Sequence, residues 1–448
     1  MADLEALARE AAAWMKAQSA ETQAEVYLER GEDRGLSRRE GLRDGVEASE
    51  TSGAGVRVCR DGRVGFASAG GADLASIKEL YCRAIEQLPH AAADPRRTLP
   101  GPVPASADAA FAASLWDDSL FTASWSEVEE RLASAEREAL ASGGAAGVLR
   151  SEYAESRGWV VVAGTSGLFS ADRGASASVS VVASAGKGAE TLIGESYRAS
   201  RRAAELDFAA AGREAGLRAS SLLDARRAKG GKRSVLFEPW VGVEFLELLA
   251  GLLSADEVQG GRSLLAGKEA RSVASPLVTL RDDARLPGGL GSALHDDEGL
   301  PTRDKAMIDG GILKEYFHDS TTAARAGAKS NGSAWRGSYS GIPAPGSSTF
   351  YLAPGKLSRE ALVSDTASGL LVSEVLGMHM VDPVSGAFSV GVSGLSIEKG
   401  KIGRPVKGAM LSGTLLDLLA RVDGVASDLT FQGSLGAPTF RVASLDLA

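Results

Sequence analysis

Gly55-Val56-Arg57-Val58-Cys59-Arg60-Asp61-Gly62-Arg63-Val64-Gly65-Phe66-Ala67 reads as two strands around a tight turn. Period-2 alternation flanks Asp-Gly, a pair suited to the positive φ angles of a two-residue hairpin. Glu25-Val26-Tyr27-Leu28-Glu29 alternates in the same way, which predicts a third strand nearby. Helical spacing brackets these strands. Leu4, Leu7, Ala11, Trp14 and Met15 share one face over 3–18, and Leu74, Ile77, Leu80, Ala84 and Leu88 share another over 73–88. The first segment is therefore expected to be α+β, with its strands antiparallel.

Further along, Pro95, Pro100, Pro102 and Pro104 fall in an Ala/Ser-rich stretch over 90–110 that suggests a linker or crossing segment. A helix is expected over 124–142. Strands are expected at Trp159–Ala163 and Ala175–Val182, and an Ala/Arg-rich helix over 195–228. Ser234-Val235-Leu236-Phe237 reads as a strand, after which Pro239 can open a helix carrying Val243, Leu246, Leu249, Ala250 and Leu253. From 270 onward short strands and Gly turns predominate. The division expected is an N-terminal domain over 1–110, a middle α/β segment over 111–229 and a β-rich, largely antiparallel domain over 230–448.

The chain has 448 residues and a net charge of -9, so the counterion replacement that drives DNA binding has no basic surface to act through. The basic cluster Arg226-Arg227-Ala228-Lys229 fits a solvated helix end. Cys59 and Cys82 lack CxxC spacing and are too few for a disulfide framework, which fits a reducing compartment. Met1–Glu10 shows neither a basic nor an apolar leader region, and no apolar run reaches membrane-spanning length. A soluble cytoplasmic protein without nucleic-acid or membrane partners is the expectation.

Chemistry-bearing motifs are sparse. None of the four histidines, His90, His295, His318 and His379, is followed by Glu, so the helical zinc motif with two His around a Glu is missing. Gly267-Lys268 precedes Glu269 and makes no phosphate loop. The one dense polar cluster is His295-Asp296-Asp297-Glu298-Gly299, followed by Pro301-Thr302-Arg303. Such groups could ligate a cation or hold a peptide backbone; a solvated, salt-bridged turn is the simpler reading. His379 lies among apolar residues, where a hydrogen-bonded structural role is the simpler one.

A series of phrases runs through the last half of the chain. It includes Asp296–Arg303, Ile308–Lys314, Asp319–Ala323, Tyr351–Gly355, Leu376–His379, Asp382–Gly391 and Pro405–Gly408. In this order the series resembles the TldD/TldE (PmbA) family, and Gly55–Val58 with Asp61–Gly65 resembles it more weakly. The resemblance implies an α+β fold and a role in degrading or trimming unfolded peptides. It also implies two subunit types, of which the TldD type binds zinc through HExxxH on a helix and a Cys near the C-terminus. The corresponding helix here, Gly242–Leu249, offers Glu but no His, and the Cys position falls near Phe431-Gln432-Gly433. The chain thus resembles the TldE type: no catalytic residue and no metal of its own, with zinc expected in a TldD-type partner, and homodimerisation left open. His295, Asp297, Glu298, Arg303, His379, Gly386 and Phe388 are the candidates for peptide binding or structure, and the Gly/Ser/Pro-rich stretch 337–349 for a flexible loop beside a substrate strand. Two other readings stay open: a stand-alone hydrolase using His295, Asp297 and Glu298 around a metal, and a protein-binding regulator, of gyrase for example, that does no chemistry.

Overall fold

The computed structural model describes residues 1–104, 108–228 and 230–448. Residues 105–107 of the proposed linker and Lys229 of the basic cluster lie outside the described residues. The N-terminal half runs α1 (Ala2–Gln18), β1 (Gln23–Arg39), β2 (Leu42–Arg60), β3 (Arg63–Gly70), α2 (Leu74–Gln87), α3 (Ala109–Ser114), α4 (Trp125–Ala141), β4 (Gly147–Gly164), β5 (Phe169–Ala185), β6 (Leu192–Ser200) and α5 (Phe208–Ser221). The hairpin turn falls where the sequence places it: Asp61 and Gly62 take φ of 52° and 70°. Asp73 caps α2 and Ser124 caps α4, each in a reciprocal capping box.

All six strands form one antiparallel sheet in the order β3-β2-β1-β4-β5-β6. Strands from 1–110 and from 111–229 therefore share one sheet, joined where β1 pairs with β4 from Glu25↔Gly164 to Arg39↔Arg150. The expected helix over 195–228 is confined to α5, and 192–200 is an edge strand. The signal misled because β6 turns Gly194 and Ser196 inward rather than large apolar residues. A Cβ on Gly194 would lie 2.1 Å from Ala219 N of α5, so the close approach of helix and strand requires glycine there.

One sheet face is packed by helices. α1 and α2 cover Val26, Leu28, Val56, Val58 and Val161, while α4 and α5 cover Leu36, Tyr153, Val179 and Val181. The other face points toward the C-terminal half.

That half contains β7 (Arg226–Arg227), β8 (Gly231–Phe237), α6 (Pro239–Leu252), α7 (Ala255–Gln259), β9 (Leu280–Asp283), β10 (Asp304–Asp309), β11 (Ile312–Leu313), α8 (Ser320–Ala326), β12 (Ala334–Trp335), β13 (Ala344–Pro345) and β14 (Phe350–Leu352). It ends with α9 (Arg359–Ser364), β15 (Ser368–Leu376), β16 (Ala387–Glu398), β17 (Lys401–Thr414), α10 (Leu415–Ala420), β18 (Val422–Val425), β19 (Thr430–Gln432), β20 (Leu435–Ala437) and β21 (Phe440–Leu447). The expected β-rich character holds, making the whole an α+β fold, but the sheets are mixed: β8 pairs with β15, β14 with β20 and β17 with β7 in parallel. α6 lies at the centre of the largest core, where Phe237 stacks on Phe440 at 5.0 Å and meets Phe245 edge-on at 5.1 Å. No helix among the described residues is long and apolar enough to cross a membrane.

Candidate functional site

The polar turn 295–303 is where the two halves meet. An isolated bridge between His295 and Pro301 closes it, and Gly299 takes φ +78°. Asp296 organises it from within: its carboxylate accepts from the backbone N–H groups of Glu298 (3.0 Å), Leu300 (2.9 Å) and Ala334 (3.1 Å). Burial, then the nearby Glu298, pushes the Asp296 carboxyl well above its ordinary range.

The neighbouring side chains cross into the N-terminal sheet. Glu298 is fully buried; it accepts from Arg57 at 3.0 Å and from the Ser320 N–H at 2.8 Å. Arg57 also donates to Glu25 at 2.9 Å, its direct cross-strand neighbour in the β1–β2 register. Glu25 in turn pairs with Arg336. Burial alone would raise the Glu25 carboxyl, but Arg57 and Arg336 outweigh it and hold the group below its ordinary value. Asp297 accepts from the Arg336 N–H at 2.7 Å and the Tyr27 hydroxyl at 3.3 Å, and burial pushes its carboxyl up to about 6. The Arg336 guanidinium lies 4.5 Å over the Tyr27 ring. His295 Nδ1 is 3.2 Å from the Asp172 carboxylate on β5, at the edge of a recess of ≈ 320 Å³.

The structure thus gathers His295, Asp297 and Glu298 and sets the other candidates apart. Arg303 is exposed and bonds Glu315 at 2.6 Å. His379 is exposed on the turn Met378–Met380. Gly386 and Phe388 border the core that contains α6. Gly386 has φ +69° and faces Leu264, and Phe388 is buried edge-on to Phe245 at 6.2 Å. The stretch 337–349 is seated on the sheet: the Tyr339 N–H donates to Glu29 at 2.7 Å and its ring lies over Gly53, where a Cβ would come within 2.4 Å. Sequence reasoning missed Glu25, Tyr27, Arg57, Asp172 and Arg336. The one local signal was Arg57 itself, a cation between valines in a strand.

α6 presents a contrasting environment. Pro239 occupies its first turn. Gly242, Phe245, Leu246 and Leu249 face Leu415, Leu418, Leu419, Val422 and Phe440 around an enclosed, wholly apolar cavity of ≈ 20 Å³. Outward, burial together with Glu247 and Glu374 pushes the Glu244 carboxyl up to about 7. Phe431, near the expected thiolate position, packs edge-on to Tyr351 at 5.6 Å. Imidazole and thiolate are absent from this helix and from that hairpin, so the residues present do not fit a zinc ion held in the HExxxH manner.

Comparison with known proteins agrees with the fold. The PmbA/TldA metallopeptidase C-terminal domain matches residues 230–448, and domain 1 of the same peptidases matches 24–88, together more than half of the chain. The chain belongs to the PmbA/TldD metallopeptidase family. A metalloprotease of Methanocaldococcus jannaschii is 36% identical over 50% of this chain and 49% of its own. The TldD homolog of Haemophilus influenzae is 34% identical over 43% and 40%, and the metalloprotease PmbA of Escherichia coli O157:H7 is 26% identical over 52% and 50%. The matched region thus spans about half the length of these curated relatives. Among solved structures, TldE from Thermococcus kodakarensis superposes with a TM-score of 0.87 at 20% identity, covering 98% of this chain and 99% of its own. A candidate modulator of DNA gyrase from Thermotoga maritima reaches 0.89 at 24%, covering 98% and 100%.

Proposed function

We propose that this chain is the zinc-less, TldE/PmbA-type subunit of a heteromeric cytoplasmic peptidase, pairing with a TldD-type subunit that brings the zinc and acting on unfolded or extended peptides. The observation that carries this reading is the seat of α6. Where a catalytic helix would turn imidazoles toward a metal, this helix turns Phe245, Leu246 and Leu249 into a closed apolar core. A carboxylate such as Glu247 can polarise a metal-bound water only if other groups hold the metal. Overall identity does not separate the subunit types, since relatives named TldD match more closely than those named PmbA; the reading rests on the donor set. The stand-alone hydrolase finds less support, because Asp297 and Glu298 are committed to Arg336, Tyr27, Arg57 and the Ser320 amide.

The test is metal content and peptidase activity on unfolded casein, measured on the chain alone and with a co-expressed TldD-type subunit. A zinc-free, inert chain that yields activity only in the mixture is the expected result. Stoichiometric zinc and cleavage by the chain alone would overturn the proposal.

A further inference from the structure

The sheet face opposite the helices is only half covered. Over β1 residues 25–29 it meets the C-terminal half through Glu25, Tyr27 and Glu29. Over residues 33–35 it opens into a groove of ≈ 860 Å³, walled on one side by the loops at Leu290-Gly291 and Gly433-Ser434. Exposed faces of antiparallel sheets ordinarily carry long polar side chains. Here the floor is Gly35, Ala154, Ser156, Ser176, Ser178 and Ala199, residues too short to fill the space above them. Ser156 and Ser176 also line the recess beside His295, so the two spaces are continuous.

The ends differ in charge. Asp33 and Glu47, both exposed, lie at the β1–β2 end. At the β5 end Arg173 is exposed, but its parity along the strand is that of Ala175 and Ala177, and its guanidinium lies 4.6 Å over the Trp116 ring on the helix side of the sheet. Arg201 is buried there, its guanidinium bonded to the carbonyls of Gly289, Leu290 and Ser292 rather than to a carboxylate. The carboxylates facing the recess are already engaged: Asp172 by His295, Asp297 by Arg336 and Tyr27, Asp296 by three backbone amides. The exposed charge facing the groove is thus the negative charge of Asp33 and Glu47 at the β1–β2 end.

Resting on the peptidase reading above, we propose that this groove binds an extended peptide with its ammonium end toward Asp33 and Glu47. From β2 to β5 the groove crosses three strand spacings of about 4.8 Å, a span that an extended chain covers with about five residues at ~3.3 Å each. The serine hydroxyls offer donors and acceptors to a peptide backbone whatever its sequence, and the short floor leaves room for side chains of modest size.

The test is calorimetric titration of the full chain with an alternating Ala–Thr hexapeptide bearing free termini, compared with its N-acetylated and C-amidated forms. Binding should weaken at least tenfold when Ser176→Trp fills the floor. Ser178→Trp should do the same, with circular dichroism confirming the fold of each variant. Asp33→Lys should weaken the peptide with a free amino terminus at least tenfold and leave the N-acetylated form nearly unchanged. No binding by the wild type, or binding indifferent to both tryptophans, overturns the proposal. So does a dimer that the tryptophan variants disperse, which would assign the groove to a second copy of the chain. Each of these failures is read on the isolated chain and leaves cleavage by the mixed pair as a separate result.

Discussion

The polar turn at 295–303 and the seat of α6 are two buried regions within one fold, and they solve burial in opposite ways. At the turn, charges from both halves of the chain are sealed from water and paired one by one: Glu298 with Arg57, Arg57 with Glu25, Glu25 with Arg336. At α6 the polar groups are gone from the inner face and leucines fill it. The difference teaches where this protein could tolerate chemical change. An apolar seat loses stability roughly in proportion to the atoms removed. A paired charge network collapses when a single member is lost, because its partner stays behind, buried and uncompensated.

Removing Arg57 should therefore have the largest effect. Arg57→Ala leaves Glu298 buried without a cation and Glu25 with Arg336 alone, with a cost on the order of 3–5 kcal/mol in urea unfolding. The comparison sharpens with the double variant Arg57→Met/Glu298→Gln, which removes charge from both sides and should regain much of the loss. A single Arg57→Ala that unfolds at the wild-type midpoint would show that the network carries no stability.

The apolar seat should yield somewhat less. Leu246→Ala enlarges the cavity beside Leu415 and Leu418 and should cost about 2–5 kcal/mol, independent of pH between 5 and 8. Its independence is the discriminating readout, since the seat holds no titratable group facing inward. A marked pH dependence in this variant would mean that Glu244 and Glu247 on the outer face are coupled to the packing.

How much of this was legible in the sequence follows the range over which each interaction acts. The hairpin at Asp61-Gly62, α1, α2, α4 and the Pro239 start of α6 are set by neighbours within a turn or two, and their patterns predicted them. β6 escaped because its inward residues, Gly194 and Ser196, answer to the close approach of α5 rather than to hydrophobic alternation. The single six-stranded sheet escaped because the β1–β4 pairing joins residues more than a hundred positions apart. At the site, the cluster His295–Glu298 was visible as adjacent letters. Arg57, 241 positions from Glu298, was visible only as an oddity in a strand. Of the candidates known from their phrase alone, Phe388 packs edge-on to Phe245 of α6 and Gly386 lies against Leu264 and Leu415, away from the charged turn.

The smallest effect expected is a pH dependence at Asp297, and its sign can be worked out. Burial raises this carboxyl to about 6 in the folded chain, against an ordinary value of 3.8. The folded state therefore holds a proton that the unfolded state has released over the window between those values. The protonated group's contribution to stability is fully present below pH 4, declines as pH rises toward 6, and changes little above that. Asp297→Asn cannot titrate, and its amide oxygen can still accept from the Arg336 N–H or the Tyr27 hydroxyl. Relative to the wild type, the variant should thus gain stability between pH 4 and pH 7, by on the order of 1–3 kcal/mol, measured as the difference in unfolding midpoint across that range. A difference that stays flat would place the proton elsewhere in the turn, with Asp296, whose three amide donors face the same burial, as the group to replace next.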